Sequence, residues 1–194
     1  MKHAIMRTAL IDSTISVIAE DGFDKATTKA IAAAAGLNEA YIYRLFDGKE
    51  DLFNQAFWDC NQRLMHQCIQ SLRENDHLLP DLQSINRAVF MQSWAFVLND
   101  RKRCLFYVRY YYSPYFQKYV QEEYQRSLRR SAEEVRRFFP EGVDVADLLH
   151  HTLDVALHFA VKVIYGEEEA DERLAEWVYQ LSKGRLDAYK NDSA

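Results

Sequence analysis

Glycine and proline are scarce in this chain of 194 residues, at six and three. Few residues are therefore available to break helices or shape long loops. Alternation with period two is also missing over any useful length, while apolar residues recur at helical spacing almost everywhere, which excludes a sheet-based fold. No run of about eighteen uncharged apolar residues exists, so no transmembrane helix is expected. The amphipathic first 22 residues carry Asp12 and lack the apolar stretch and small-residue cleavage site of a secretory signal. The three cysteines, Cys60, Cys68 and Cys104, are odd in number and form no CxxC pair. They read as reduced core thiols of a cytosolic, cytoplasmic protein and not as a disulfide framework or zinc site.

A strong charge excess is absent too. A net charge of −5 with 48% apolar residues excludes a disordered chain and provides for a sizeable core. Residues 1–55 hold six Lys or Arg against eight Asp or Glu, a net of −2. Phosphate binding draws on local cation density. Any basic patch must therefore come from the placement of Lys2, Lys25, Lys29, Arg44 and Lys49. No nucleophile–base constellation, phosphate-cradling glycine loop or paired catalytic carboxylates is present, so neither an enzyme nor a cofactor is expected.

What is there is helix. A first amphipathic segment carries Leu10, Ile11, Thr14, Ile15, Val17 and Ile18 on one stripe and ends at Asp21-Gly22. The segment Thr27 to Phe53 then reads as two short helices, Thr28 to Ala35 and Glu39 to Phe46, around a turn at Gly36-Leu37-Asn38. Thr27 and Asn38 are suited to cap them. Two short helices joined by a three- or four-residue turn containing Gly make a helix-turn-helix, whose second helix suits a DNA major groove. A fourth helix opens at Lys49 with acidic residues in its first turn and runs to about Arg73. The pattern breaks over Glu74 to Pro80. Further helices are expected over Asp81–Asn99, Arg101–Tyr112, Tyr115–Phe139, Val145–Tyr165 and Ala170–Tyr189. The fold class is all-α, with an N-terminal three-helix unit at residues 1–48 and a larger helical body at residues 49–194.

Gly22-Phe23, Thr27-Thr28, Ile31-Ala32, Ala35-Gly36-Leu37, Ile42-Tyr43, Phe46 and Lys49 to Phe53 together resemble the N-terminal domain of TetR/AcrR-type transcriptional regulators. The downstream helices are similar to that family's nine-helix arrangement. The resemblance implies a homodimer presenting two recognition helices to a roughly palindromic double-stranded DNA operator. It also implies release of that operator by a small-molecule effector in the C-terminal body, most often as a repressor. Position by position, it implies that Lys29, Glu39, Ala40, Tyr41, Tyr43 and Arg44 face DNA. Thr28, Tyr43 and Lys49 are then expected on phosphates, and Arg44 is suited to guanine O6 and N7. Glu39 stands where the family commonly has Lys, and could accept from cytosine N4. Tyr41 stands where a small residue is common. A helix-turn-helix protein that serves as an interaction partner without binding DNA is the competing expectation, motivated by the acidic balance and Glu39.

Six of the twelve tyrosines fall within residues 106–119. Tyrosine combines an apolar face with a polar tip, so Phe90, Trp94, Tyr107, Tyr110 and Tyr111 are candidates for a ligand cavity. Asp147, His150, His151, Asp154 and His158 invite a metal reading, with His150 and Asp154 an i, i+4 pair on one helix face. A zinc site needs three or four ligands, so these read as hydrogen-bonding or interface groups and no metal is expected. The apolar surplus of the last two helices predicts an intersubunit four-helix bundle through Leu149, Leu153, Ala156, Trp177, Val178 and Leu181.

Overall fold

The computed structural model describes residues 2–76, 78 and 81–191, with side chains described for all of these except Lys2, Leu82 and residues 185–191. Among the described residues there are nine α-helices and no strand. They fall into two compact units, each built from two stretches of chain: residues 1–63 with 100–121, and residues 64–99 with 122–194. The expected boundary at residue 48 lies in the turn before the fourth helix, whereas the units divide within that helix.

The first unit contains α1 (Lys2–Asp21), α2 (Thr28–Ala34), α3 (Ala40–Leu45), the leading part of α4 (Lys49–Asn75) and α6 (Arg101–Tyr111). The stripe read from sequence on α1 is its buried face: Leu10, Thr14 and Ile18 are fully covered and Ile15 nearly so. This face packs on α2, α3 and α6. The Thr14 hydroxyl is satisfied by the Leu10 carbonyl at 2.8 Å, so its burial leaves no orphaned donor. α1 ends at Gly22, whose φ of +83° would be strained in any residue with a Cβ.

Local chemistry sets the helix-turn-helix. The Thr27 side chain accepts from the Ala30 N–H at 3.1 Å and starts α2. Gly36, with φ +65°, lets the chain reverse so that the Leu37 N–H reaches the Ala32 carbonyl at 2.9 Å. The Asn38 carboxamide accepts from the Ala40 N–H at 2.9 Å, and α3 starts one residue later than its pattern suggests. Ile31, Ala32, Ile42 and Phe46 turn inward and hold the two short helices. Neither helix is long enough to be stable alone, so this shared core maintains them.

The second unit contains the rest of α4, α5 (Leu82–Asn99), α7 (Gln121–Val135), α8 (Val145–Tyr165) and α9 (Glu172–Asn191). The break expected over residues 74–80 lies partly outside the described residues. α8 packs on α9, and α5 packs on both. Leu72, Ile85, Val135, Phe138 and Leu148 belong to one buried cluster there. The helix expected over Tyr115–Phe139 is interrupted. A wide turn at Phe116–Val120 precedes α7, and a tight turn at Arg136–Phe138 follows it. Ser113 helps shape the first departure: its hydroxyl donates to the Tyr110 carbonyl at 2.6 Å and accepts from the Phe116 N–H at 3.4 Å. On α7, Arg126 and Arg130 pair with Glu123 at 2.9 and 2.7 Å on an exposed face.

Candidate functional site

The outer face of α3 is set by helical phase. Ile42 and Phe46 are inward, so Glu39 and Tyr43 share one outer row and Ala40 and Arg44 the next. Tyr43 is 63% exposed, and Ala40 and Arg44 are exposed as well. The Arg44 guanidinium lies 5.3 Å from the centre of the Tyr41 ring. The bulk of Tyr41 thus supports the cation beside it, a contact worth about 0.5–1 kcal/mol at an exposed site. Lys29 is exposed on α2, and neither it nor Arg44 enters an ion pair among the described residues. Lys49 is half-buried, with its ammonium 5.7 Å from the centre of the Phe53 ring. Lys25 is tied to Asp21 at 3.3 Å. The Lys2 side chain lies outside the described side chains.

Two contacts in this region were not visible in the pattern. Thr28 donates its hydroxyl proton to the Glu39 carboxylate, joining the first residue of α2 to the residue just before α3. Arg7, which the sequence reading passed over, donates from Nη1 to the Leu45 carbonyl at 2.7 Å. Its guanidinium also lies 4.4 Å from the centre of the Phe46 ring. Arg7 therefore satisfies a carbonyl at the end of α3 and clamps the residue that stops it. A cation one turn before the Leu10 stripe was the only sequence signal for it.

The second unit holds a cavity of about 130 Å³. Its walls come from α4 (Leu64, Met65, Cys68), α5 (Val89, Phe90, Trp94, Val97), α8 (Leu149, Leu153, Ala156) and α9 (Tyr179). Polar groups on the lining are few: Cys68 and Ser93 contact each other at 3.3 Å, and the Ser182 hydroxyl donates to the Val178 carbonyl at 3.0 Å. Asn86, Thr152 and Lys183 add the remainder. Burial pushes the Cys68 thiol above its ordinary range, with a smaller opposing effect of Ser93, so the wall is uncharged there.

Of the five residues read as ligand-cavity candidates, Phe90 and Trp94 line this cavity and Tyr107, Tyr110 and Tyr111 do not. The three tyrosines belong to the first unit. Tyr110 is fully buried, stacks on Phe57 at 4.9 Å and donates its hydroxyl proton to Asn54. Tyr107 donates to Asn61 at 3.2 Å, and Tyr111 packs on Phe116 at 4.5 Å. Asn54 and Asn61 are seven apart and interrupt the apolar stripe of α4. That polar pair was the signal that these tyrosines are core residues with satisfied hydroxyls.

The residues assigned to an intersubunit face also divide. Val178 is fully buried within its own subunit, and Leu149, Leu153 and Ala156 face the cavity. Their i, i+4, i+7 spacing on α8 places them on the inner side. Trp177 and Leu181 point outward, at 51% and 42% exposed, and Trp177 meets Phe159 at 5.0 Å. On α8 the His150 Nδ1 lies 3.8 Å from Asp154, and no cluster of three metal-ligating side chains exists among the described residues.

The helix-turn-helix and the helical units recur together in known proteins. Residues 10–56 match the family model described as bacterial regulatory proteins, tetR family, and the fold as a whole is similar to solved structures of regulators described as TetR family. A TetR family transcription regulator from Marinobacter aquaeolei VT8 superposes with a TM-score of 0.76 at 17% identity, covering 95% of this chain and 97% of that one. A putative tetR family transcription regulator from Shewanella sp. PV-4 gives 0.72 at 16% identity, covering 94% and 97%. The transcriptional regulator FadR from Bacillus subtilis, solved in complex with stearoyl-CoA, gives 0.60 at 20% identity, covering 94% and 96%. No curated protein matches the sequence significantly.

Proposed function

We propose that this chain is a ligand-responsive transcriptional repressor that binds a roughly palindromic operator as a homodimer. The observation that carries the DNA-binding reading is the outward face of Ala40, Tyr43 and Arg44, fixed by inward Ile42 and Phe46 within the domain that matches the family model. In this reading Arg44, supported by Tyr41, bonds a guanine edge, while Tyr43 and Lys49 hold phosphates. Lys29 extends the contact from α2. Lys49 turns from the Phe53 ring towards the backbone when DNA arrives.

Binding should fall steeply as salt is raised, because each neutralised phosphate releases counterions. Lys49→Ala should reduce the slope of log affinity against log salt by about one. A salt series by fluorescence anisotropy, with duplexes drawn from a selected pool, measures this. Failure to bind any duplex at low salt would defeat the reading and favour an interaction protein.

The cavity supports an apolar effector with at most one polar end. Its size is near the roughly 150 Å³ of an apolar cavity that takes benzene, so its resting shape suits a ring or a short acyl chain. The stearoyl-CoA bound to the Bacillus subtilis relative makes an acyl ligand a reasonable class for this one. A longer chain would have to part α5 from α8 and α9. Release of DNA by medium-chain acyl compounds and by small aromatic compounds, compared at equal concentration, tests the assignment.

A further inference from the structure

A threonine hydroxyl has one proton, and Thr28 gives it to Glu39. Phosphate oxygens in DNA only accept. Thr28 therefore cannot hold Glu39 and bond a phosphate at the same time, and the phosphate contact implied for it by family resemblance competes with the contact it makes. Glu39 is half-buried, one turn before Tyr43 and adjacent to Ala40 on the outer side of α3. The bond engages Oε1 and leaves Oε2 as a directed acceptor. Long carboxylate side chains rarely have their rotamer fixed in this way on a protein surface, and fixing it lowers the ordering cost of a directed contact.

In the major groove, guanine N7 and O6 and thymine O4 are acceptors that repel a carboxylate. Adenine offers its N6 amine beside the N7 acceptor. Cytosine offers only the N4 amine, so an oriented carboxylate favours cytosine over all three. We infer that Glu39 is a specificity-determining residue that reads a cytosine, and that Thr28 is its positioning residue instead of a phosphate contact. This rests on the DNA-binding reading above. It also gives the acidic residue in a net-acidic domain a role that phosphate affinity alone would oppose.

The test is selection of the full-length protein on a randomised duplex library, followed by affinity measurements on single-base variants of the selected site. Wild type should enrich sites with a cytosine at one fixed position of each half-site. Glu39→Ala should reduce the preference there about ten-fold while leaving other positions unchanged. Glu39→Gln should move the preference to adenine, whose N6 and N7 suit a carboxamide. Gln also keeps an acceptor for Thr28, so this variant guards against a simple folding failure.

Thr28→Val should weaken the preference at the same position only, and Thr28→Ser should restore it. Equal weakening by Thr28→Val on every sequence would assign Thr28 to phosphate and overturn the inference. So would a selected site without a fixed cytosine, or base preferences unchanged in both Glu39 variants. A wild type that enriches nothing would instead remove the DNA-binding reading itself.

Discussion

At the scale of single residues, Arg103 concentrates the most charge. It bonds Asp100 through Nη1 at 2.9 Å, and its Nη2 reaches Asp12 and Asp59, so one guanidinium serves α1, α4 and the cap of α6. Burial opposes its charge, but the hydrogen bond it donates to Asp100 and the nearby carboxylates keep its pKa above the ordinary value. Its side chain is 22% exposed. Arg103→Met should thus cost more than a surface pair yet less than a fully buried one, about 2 kcal/mol in urea denaturation.

A second residue-scale effect is pH-dependent. Burial, aided by Asp100, pushes the Cys104 thiol from 9.0 to about 12. In the unfolded chain the thiol ionises first, so this group's contribution is intact below pH 9 and is lost between about pH 9 and 12. Cys104→Ala should make the fall in denaturation midpoint over that range shallower. Titration of the urea midpoint against pH reads this directly.

At the scale of elements, the helices were legible because apolar period and capping chemistry agree along most of the chain. Thr27, Asn38 and Gly22 ended or started elements where their side chains or φ values require it. The interrupted helix after Pro114 was not legible, because a wide turn preserves enough apolar spacing (Phe116, Val120, Tyr124) to look continuous. The candidate site was half legible. Periodicity identified which face of α3 is outward, but a bond between Thr28 and Glu39 spans eleven positions and has no periodic signature. The tyrosines were misplaced for a similar reason, since their partners Asn54 and Asn61 belong to another helix.

The inner row of α8 supplies an element-scale prediction. Ala156 is the small residue between larger walls of the cavity. Ala156→Phe should fill that space, leave DNA affinity within about two-fold by independence of distant sites, and abolish release by the effector. DNA binding with and without ligand measures both halves of the statement.

At the scale of the whole molecule, the proposed dimer should rest on Trp177 and Leu181, with Phe159 beside Trp177 on α8, and not on Val178 or Leu153. Replacing Trp177 by Ser and Leu181 by Glu should yield a folded monomer in sedimentation velocity, with operator affinity reduced at least ten-fold by loss of the second half-site, about 1.4 kcal/mol or more. Val178→Ala should instead lower thermal stability and leave the dimer in place. Its cost is that of a buried truncation, about 1 kcal/mol or more.

The order in which the chain is made adds one consequence. The first unit takes residues 1–63 and then residues 100–121, with a stretch of the second unit between them. Phe57 and Ile18 therefore leave the ribosome well before Phe106 and Tyr110, the residues that complete their core. The unit that carries the helix-turn-helix begins first in sequence, yet it is not complete until α6 and the residues up to 121 have followed. A nascent chain halted before residue 100 would carry α3 without the part of the unit's core supplied by α6.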